Sequence, residues 1–137
     1  MCGIYGRIGR RDDALDQGAT LSLAHRGPDD RGLLIDPHGT GDHSIALGHT
    51  RLSILDLSTA GHQPMRSDDD QVAIAYNGEI YNFQVLRAEL EERGHEFRSN
   101  SDTEVLLHLY QEYGDGLLER IEGMYAFGLW DLSLIHI

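Results

Sequence analysis

Apolar and polar positions along this chain change period several times, and each change marks an element. CGIYGRI at 2–8 reads as a short strand that ends in Gly9. Leu15, Ala19 and Leu23 then fall on one stripe at helical spacing and predict a helix over 12–24. Gly27-Pro28 ends it, because a proline disfavours helical geometry in the residue before it. Residues 32–36 and 44–49 read as two strands of a hairpin around the turn-rich stretch 37–42. Residues 51–57 alternate in a strand-like way, 61–70 is loop, and VAIAY at 72–76 is a buried strand.

Two helices with clear punctuation follow. The first covers about 83–93, with Asn82 as N-cap, Phe83, Leu86 and Leu90 on its buried stripe, and Gly94 past its end. Its exposed face carries Arg87, Glu91 and Glu92. The second covers about 102–113, where Ser101 and Glu104 stand at capping-box spacing and Gly114 marks the stop. Leu106, Leu109, Tyr110 and Tyr113 form its apolar stripe. A helical turn near 116–121 leads into a last strand, GMYAFGLWD, at 123–131. Strands and helices mix without a βαβ rhythm, so the expected class is α+β or a layered sandwich rather than a doubly wound sheet.

Composition narrows the function. With 137 residues, one domain is expected. The net charge of -12 argues against nucleic acid as a partner, since phosphate backbones call for basic patches. All eleven basic residues are arginine, a bias that reads as GC-rich coding. The acidic run at 68–70 reads as a solvated loop. No apolar run approaches the roughly 18 residues of a membrane span, and arginines and aspartates at 7–13 interrupt any signal peptide. One cysteine cannot form an intrachain disulfide, and a free thiol suits a reducing compartment, so a cytoplasmic location is expected. The eight histidines form no zinc-type spacing, and no GxxxxGK phosphate loop is present.

That one cysteine is the most informative residue. Cys2 directly follows Met1, and removal of Met1 would leave a thiol and a free α-amine on one residue. An unperturbed α-amine titrates at about 7.7–8.0 and a thiol at about 8.5. Near neutrality one residue can therefore supply both a nucleophile and the base that activates it. A lone cysteine is more commonly an inert buried thiol. Its place beside the initiator reverses that expectation.

Five segments stand out together: CGIYG at 2–6, HRGPDD at 25–30, LGHTRLSILDL at 47–57, YNGEIYNF at 76–83 and SDTEVLLHLY at 101–110. Taken alone, Arg51 would be a surface ion pair, Asp102 a helix cap, and Asn77-Gly78 a hairpin turn. In their order and spacing the five resemble the class II glutamine amidotransferase domain of glutamine-hydrolysing asparagine synthetases. The resemblance covers the chain from Cys2 to about Asp131. It implies an N-terminal-nucleophile hydrolase fold, a four-layer αββα sandwich. It implies Cys2 as nucleophile with its own α-amine as base, and the Asn77 side-chain amide with the Gly78 N–H as an oxyanion hole. It implies Arg51 on the α-carboxylate of L-glutamine and Glu79 and Asp102 on its α-ammonium, with the backbone around Leu52 and Ile54 lining the pocket. His25, Arg26 and Asp29 are expected to shape a pocket-side loop.

Full-length members carry a C-terminal synthetase domain that binds ATP and Mg and uses the ammonia to make asparagine from aspartate. No cofactor is expected on this chain itself, and a homodimer is expected for the full-length form. After GMYAFGLWD the family pattern continues with a further strand, whereas here LSLIHI follows at 132–137. The domain is therefore expected over 2–131, truncated. The tail at 132–137 is read as foreign, since the string CTGTCTCTTATACACATC encodes it and resembles a transposase adaptor. The rival readings are the glutaminase domain of another class II amidotransferase, a terminal-cysteine acylase of bulkier amides, and a non-catalytic fragment.

Overall fold

The computed structural model describes residues 1–36, 42–54 and 57–133. Six strands and three α-helices carry the architecture. They are β1 (Gly3–Arg10), α1 (Asp13–Ser22), β2 (Asp30–Asp36), β3 (His43–Arg51), β4 (Met65–Arg66), β5 (Val72–Ile80), α2 (Phe83–Glu92), α3 (Asp102–Tyr113) and β6 (Gly123–Asp131). Short 3-10 turns occupy Ala24–Arg26, Thr59–Gly61 and Gly114–Glu119. The strands form two antiparallel three-stranded sheets, in the orders β1-β3-β2 and β4-β5-β6. Helix α1 packs on the first sheet, α2 and α3 cover the second, and the two sheets face each other. This is the expected α+β arrangement of four layers, α–β–β–α.

Strand β5 shows how the sequence builds this stack. Val72, Ile74 and Tyr76 point into the core shared with α2 and α3, beside Leu86, Leu90, Leu106 and Leu109. The alternate residues, Ala73 and Ala75, meet Leu34 and Leu47 of the first sheet. Side chains alternate across a strand, so one sequence serves two cores. The small alanines let the sheets approach, and Trp130 closes the interface by donating its indole N–H to Asp36 Oδ2 at 2.8 Å.

Several expectations change. The stripe on α1 faces the core only in part: Ala19 and Leu23 are half-buried and Leu15 is 52 % exposed, whereas Asp16 and Thr20 are buried. Asp16 is held by a two-pronged ion pair with Arg7 of β1, at 2.6 and 2.7 Å, and by the Tyr5 hydroxyl at 2.9 Å. A buried carboxylate with three such hydrogen bonds is tolerated, and hydropathy alone does not reveal it. The Arg7 guanidinium, as the leading cause, holds the Asp16 carboxyl below its ordinary range.

Asn77-Gly78 forms no turn. Both lie inside β5, paired with Ala126 and Tyr125 of β6. Among the described residues of the alternating stretch 51–57, only Arg51 belongs to a strand, and residues 52–54 leave the sheet. Residues 55–56, most of the hairpin turn at 37–42 and the tail residues 134–137 lie outside the described residues. The loop over 61–70 contains the two-residue strand β4. Asn82 does not cap α2 with its side chain. It bridges instead to Arg120 O at 2.8 Å and Glu122 N at 3.0 Å.

The capping box before α3 is also rearranged. Ser101 caps by accepting from Thr103 N at 3.1 Å. Glu104 reaches past the helix start to Arg98 N (2.8 Å), Ser99 N (2.7 Å) and the Ser99 hydroxyl (2.5 Å). The first turns of α3 are buried on all sides, not along one stripe, because residues 101–107 run under the loop from α2 and along the second sheet.

Candidate active site

Cys2 sits at the lip of the first sheet, one residue before β1. Its sulfur accepts a hydrogen bond from Leu52 N at 3.3 Å and lies 3.7 Å from Leu52 O, which its S–H can reach as donor. Its carbonyl accepts from Arg26 Nε at 3.1 Å. Arg26 thus supports the backbone of Cys2. Asp29 does similar work, accepting from Ser53 N at 2.8 Å, while His25 turns back to Ser22 O at 3.0 Å. The chain around Leu52 runs directly beside Cys2 because Gly3 pairs with Thr50 across β1 and β3.

Cys2 opens on a cavity of about 280 Å³. All eight residues singled out from the sequence line it. Cys2, Arg51, Leu52 and Ile54 come from the first sheet and the segment leaving it. Asn77, Gly78 and Glu79 come from the end of β5, and Asp102 from the start of α3. They are up to a hundred positions apart in sequence. The packing of β1 and β3 on β5, and of α3 on β5, brings them together.

The cavity is lined by charged groups of both signs. Arg51 is 8 % exposed, and its Nη1 donates to Ser58 O at 2.9 Å, which anchors the guanidinium. Glu79 and Asp102 bring two carboxyl groups to the same cavity. Asp102 is 5 % exposed, and its Oδ2 accepts from the Tyr76 hydroxyl at 2.7 Å and from Ile80 N at 3.2 Å. Burial pushes the Asp102 carboxyl up, and those hydrogen bonds oppose the rise only in part. Burial, with Asp102 beside it, also drives the Tyr76 phenol well up, so Tyr76 stays a donor.

Gly78 has a structural reason to be glycine. A Cβ there would stand 2.4 Å from Met124 O and 2.6 Å from Tyr125 Cα, inside the backbone of β6. The close approach to β6 therefore requires it, whatever else occupies the cavity.

Sequence reasoning missed Gln63, Tyr76 and Thr103, which also line the cavity, as do Ser101 and Met124. Gln63 Oε1 accepts from Tyr76 N at 2.7 Å, and its amide donates to Thr103 Oγ1 at 3.1 Å. Tyr76 adjoins Asn77 in a motif already noted and could have been found there. Gln63 carried no signal, because its role depends on a strand far along the chain. Met1 also lines the cavity and is 77 % exposed, so the nitrogen of Cys2 is here an amide. Among the described residues no group of three or more His, Cys, Asp or Glu is placed to hold a metal ion, and no helix is long and apolar enough to cross a membrane.

Comparison with known proteins agrees with this geometry. The profile of the glutamine amidotransferase domain matches residues 1–136. The chain is 39% identical over 138 residues to "Asparagine synthetase [glutamine-hydrolyzing] 3" of Bacillus subtilis (strain 168), covering 96% of this chain and 21% of that protein. It is 43% identical over 136 residues to "Asparagine synthetase B [glutamine-hydrolyzing]" of Escherichia coli (strain K12), covering 96% and 23%. It thus spans about a fifth of the length of these relatives. Among solved structures it superposes on the glutamine phosphoribosylpyrophosphate amidotransferase of B. subtilis with a TM-score of 0.76 at 26% identity, covering 94% of this chain and 35% of that one. A cysteine at position 2 in a cavity with charged groups of both signs, and a family profile over nearly the whole chain, lead to one statement: this chain belongs to the glutamine amidotransferase domain family.

Proposed function

We propose that this chain hydrolyses L-glutamine to L-glutamate and ammonia. The observation that carries the reading is the single cavity shared by Cys2, Arg51, Asn77, Gly78, Glu79 and Asp102. The site matches the ligand at both ends. A guanidinium fork suits the α-carboxylate, and Glu79 with Asp102 suits the α-ammonium. The side-chain amide is left facing the thiol.

With Met1 removed, the α-amine of Cys2 takes the thiol proton as Sγ attacks the amide carbon. The Asn77 amide and Gly78 N–H receive the developing oxyanion, where losing one donor costs about 100- to 1,000-fold in rate. The ammonium of Cys2 then protonates the leaving nitrogen, the C–N bond breaks, and ammonia departs. A water attacks the thioester, giving its proton to the same amine. The C–S bond breaks and glutamate is released.

In the intact protein the ammonia would amidate aspartate in a synthetase domain that holds ATP and Mg. No residue of this chain is assigned to either. A cytoplasmic homodimer completes the reading. Identities near 40% favour the asparagine synthetase branch. The superposition on the phosphoribosylpyrophosphate enzyme supports a second reading, in which the same glutaminase serves another acceptor.

The test is Cys2→Ala in the full-length protein. Glutamine-dependent synthesis is expected to vanish while ammonia-dependent synthesis persists. Loss of both together would overturn the division of labour.

A further inference from the structure

Strand β4 pairs Met65 with Ile74 and Arg66 with Ala73 of β5. Continued backwards, that register would set Gln63 opposite Tyr76. The ladder stops because Pro64 has no N–H to donate. The backbone groups of Tyr76 on this edge are nonetheless both satisfied, by side chains. Gln63 Oε1 takes the N–H at 2.7 Å, and His49 Nε2 meets the carbonyl at 3.0 Å.

Both grips come from the first sheet or are packed against it. His49 lies in β3, is fully buried and is paired with Gly32 of β2. A Cβ at Gly32 would stand 2.0 Å from Gln63 O, so glycine is needed for the Gln63 backbone to lie there. Burial lowers the His49 imidazole to about 4, so the ring is neutral near neutrality. A neutral ring that donates from Nε2 leaves Nδ1 as a bare acceptor, and Nδ1 is indeed buried without a hydrogen-bond partner. Such an orphan acceptor normally destabilises a fold. The contact that its ring keeps in return is the one to the Tyr76 carbonyl.

That carbonyl shares its rigid peptide plane with the nitrogen of Asn77. Turning the plane would swing the Asn77 side chain and the Gly78 N–H that follows. We propose that His49 and Gln63 are positioning residues that hold the backbone on both sides of Tyr76 Cα, His49 by the carbonyl of the peptide shared with Asn77 and Gln63 by the N–H of the peptide before it, and so aim the Asn77–Gly78 oxyanion donors. The proposal rests on the glutaminase reading, since it gives those donors an oxyanion to receive. Neither residue touches substrate through this contact. They act through Asn77.

The experiment is a set of variants in the full-length protein: His49→Leu, His49→Gln and Asn77→Ala, singly and combined. Glutamine keeps a nitrogen donor near the place of Nε2. Misplacing a catalytic group by about 1 Å can cost about 100-fold. His49→Leu is therefore expected to lower kcat by about 10- to 100-fold with the KM for glutamine changed less than about threefold. His49→Gln should recover most of that loss. In the Asn77→Ala background one of the two donors is already gone, so adding His49→Leu should cost distinctly less than it does in the wild type. A fully multiplicative loss in the double variant, or equal damage from Gln and Leu at 49, overturns the clamp.

A wild-type protein that folds but hydrolyses no glutamine overturns the glutaminase reading instead. Nitrogen NMR then decides the clamp independently of activity and of any variant's folding. The wild type should show His49 protonated on Nε2 and bare on Nδ1 across pH 5–8, and a proton on Nδ1 refutes it.

Discussion

Replacing Glu104 by glutamine probes the loop that leads into the candidate site. Glu104 is 4 % exposed and collects three hydrogen bonds from Arg98 and Ser99, with His108 Nε2 at 3.8 Å. Burial alone would push its carboxyl up. His108 and the bonds from Arg98 and Ser99 outweigh that and bring it down to about 2, from an ordinary 4.5. A displacement of that size corresponds to about 3 kcal/mol of folding stability.

The sign follows from the direction. The folded value lies below the unfolded one, so the contribution is complete above about pH 4.5 and is lost as pH falls toward about 2. By pH 3.5 about 1.4 kcal/mol of it should be gone. Glutamine preserves the shape but removes the charge, and it turns an NH₂ toward donors on Ser99. Urea unfolding of wild type and Glu104→Gln at pH 7 should differ by about 3 kcal/mol, a midpoint shift of about 1–3 M. Repeating the pair at pH 3.5 and constant ionic strength should shrink the gap by roughly half. A gap under about 1 kcal/mol at pH 7, or one that does not narrow on acidification, refutes the reasoning.

Two further outcomes concern the cavity. Gly78→Ala drives a methyl into the backbone at Met124 and Tyr125, so it should destabilise by about 1–3 kcal/mol in denaturant melts. An unchanged midpoint would mean that β5 and β6 part without cost. Arg51→Lys keeps a charge but loses the fork, and should raise the KM for glutamine by about tenfold or more with little change in kcat. A selective fall in kcat would place Arg51 in the chemistry rather than in binding.

The eight candidate residues could be named because five segments, in their order and spacing, resemble one family. Alone, only the thiol beside the initiator pointed to chemistry; Arg51, Asp102 and the Asn77-Gly78 pair each had a commoner structural reading. Their convergence was not legible, since it depends on β1 and β3 packing on β5. The Asn77-Gly78 pair shows the limit of local reading. Its turn propensity is real, yet a full partner strand, β6, extends β5 straight through it. Asp16 shows another limit. Periodicity finds apolar stripes, and this buried face is a carboxylate satisfied by Arg7 and Tyr5 from a different element.

The amino-acid order alone determined the alternation of VAIAY, the stops at Gly94 and Gly114, and the place of Cys2 directly after Met1. Those features depend on neighbours in the chain. Tertiary structure decided what Gln63, His49 and Glu104 do, because each satisfies a backbone group that only folding places within reach. A polar side chain's partner across the fold is set by packing, and a buried polar group must find one or cost stability.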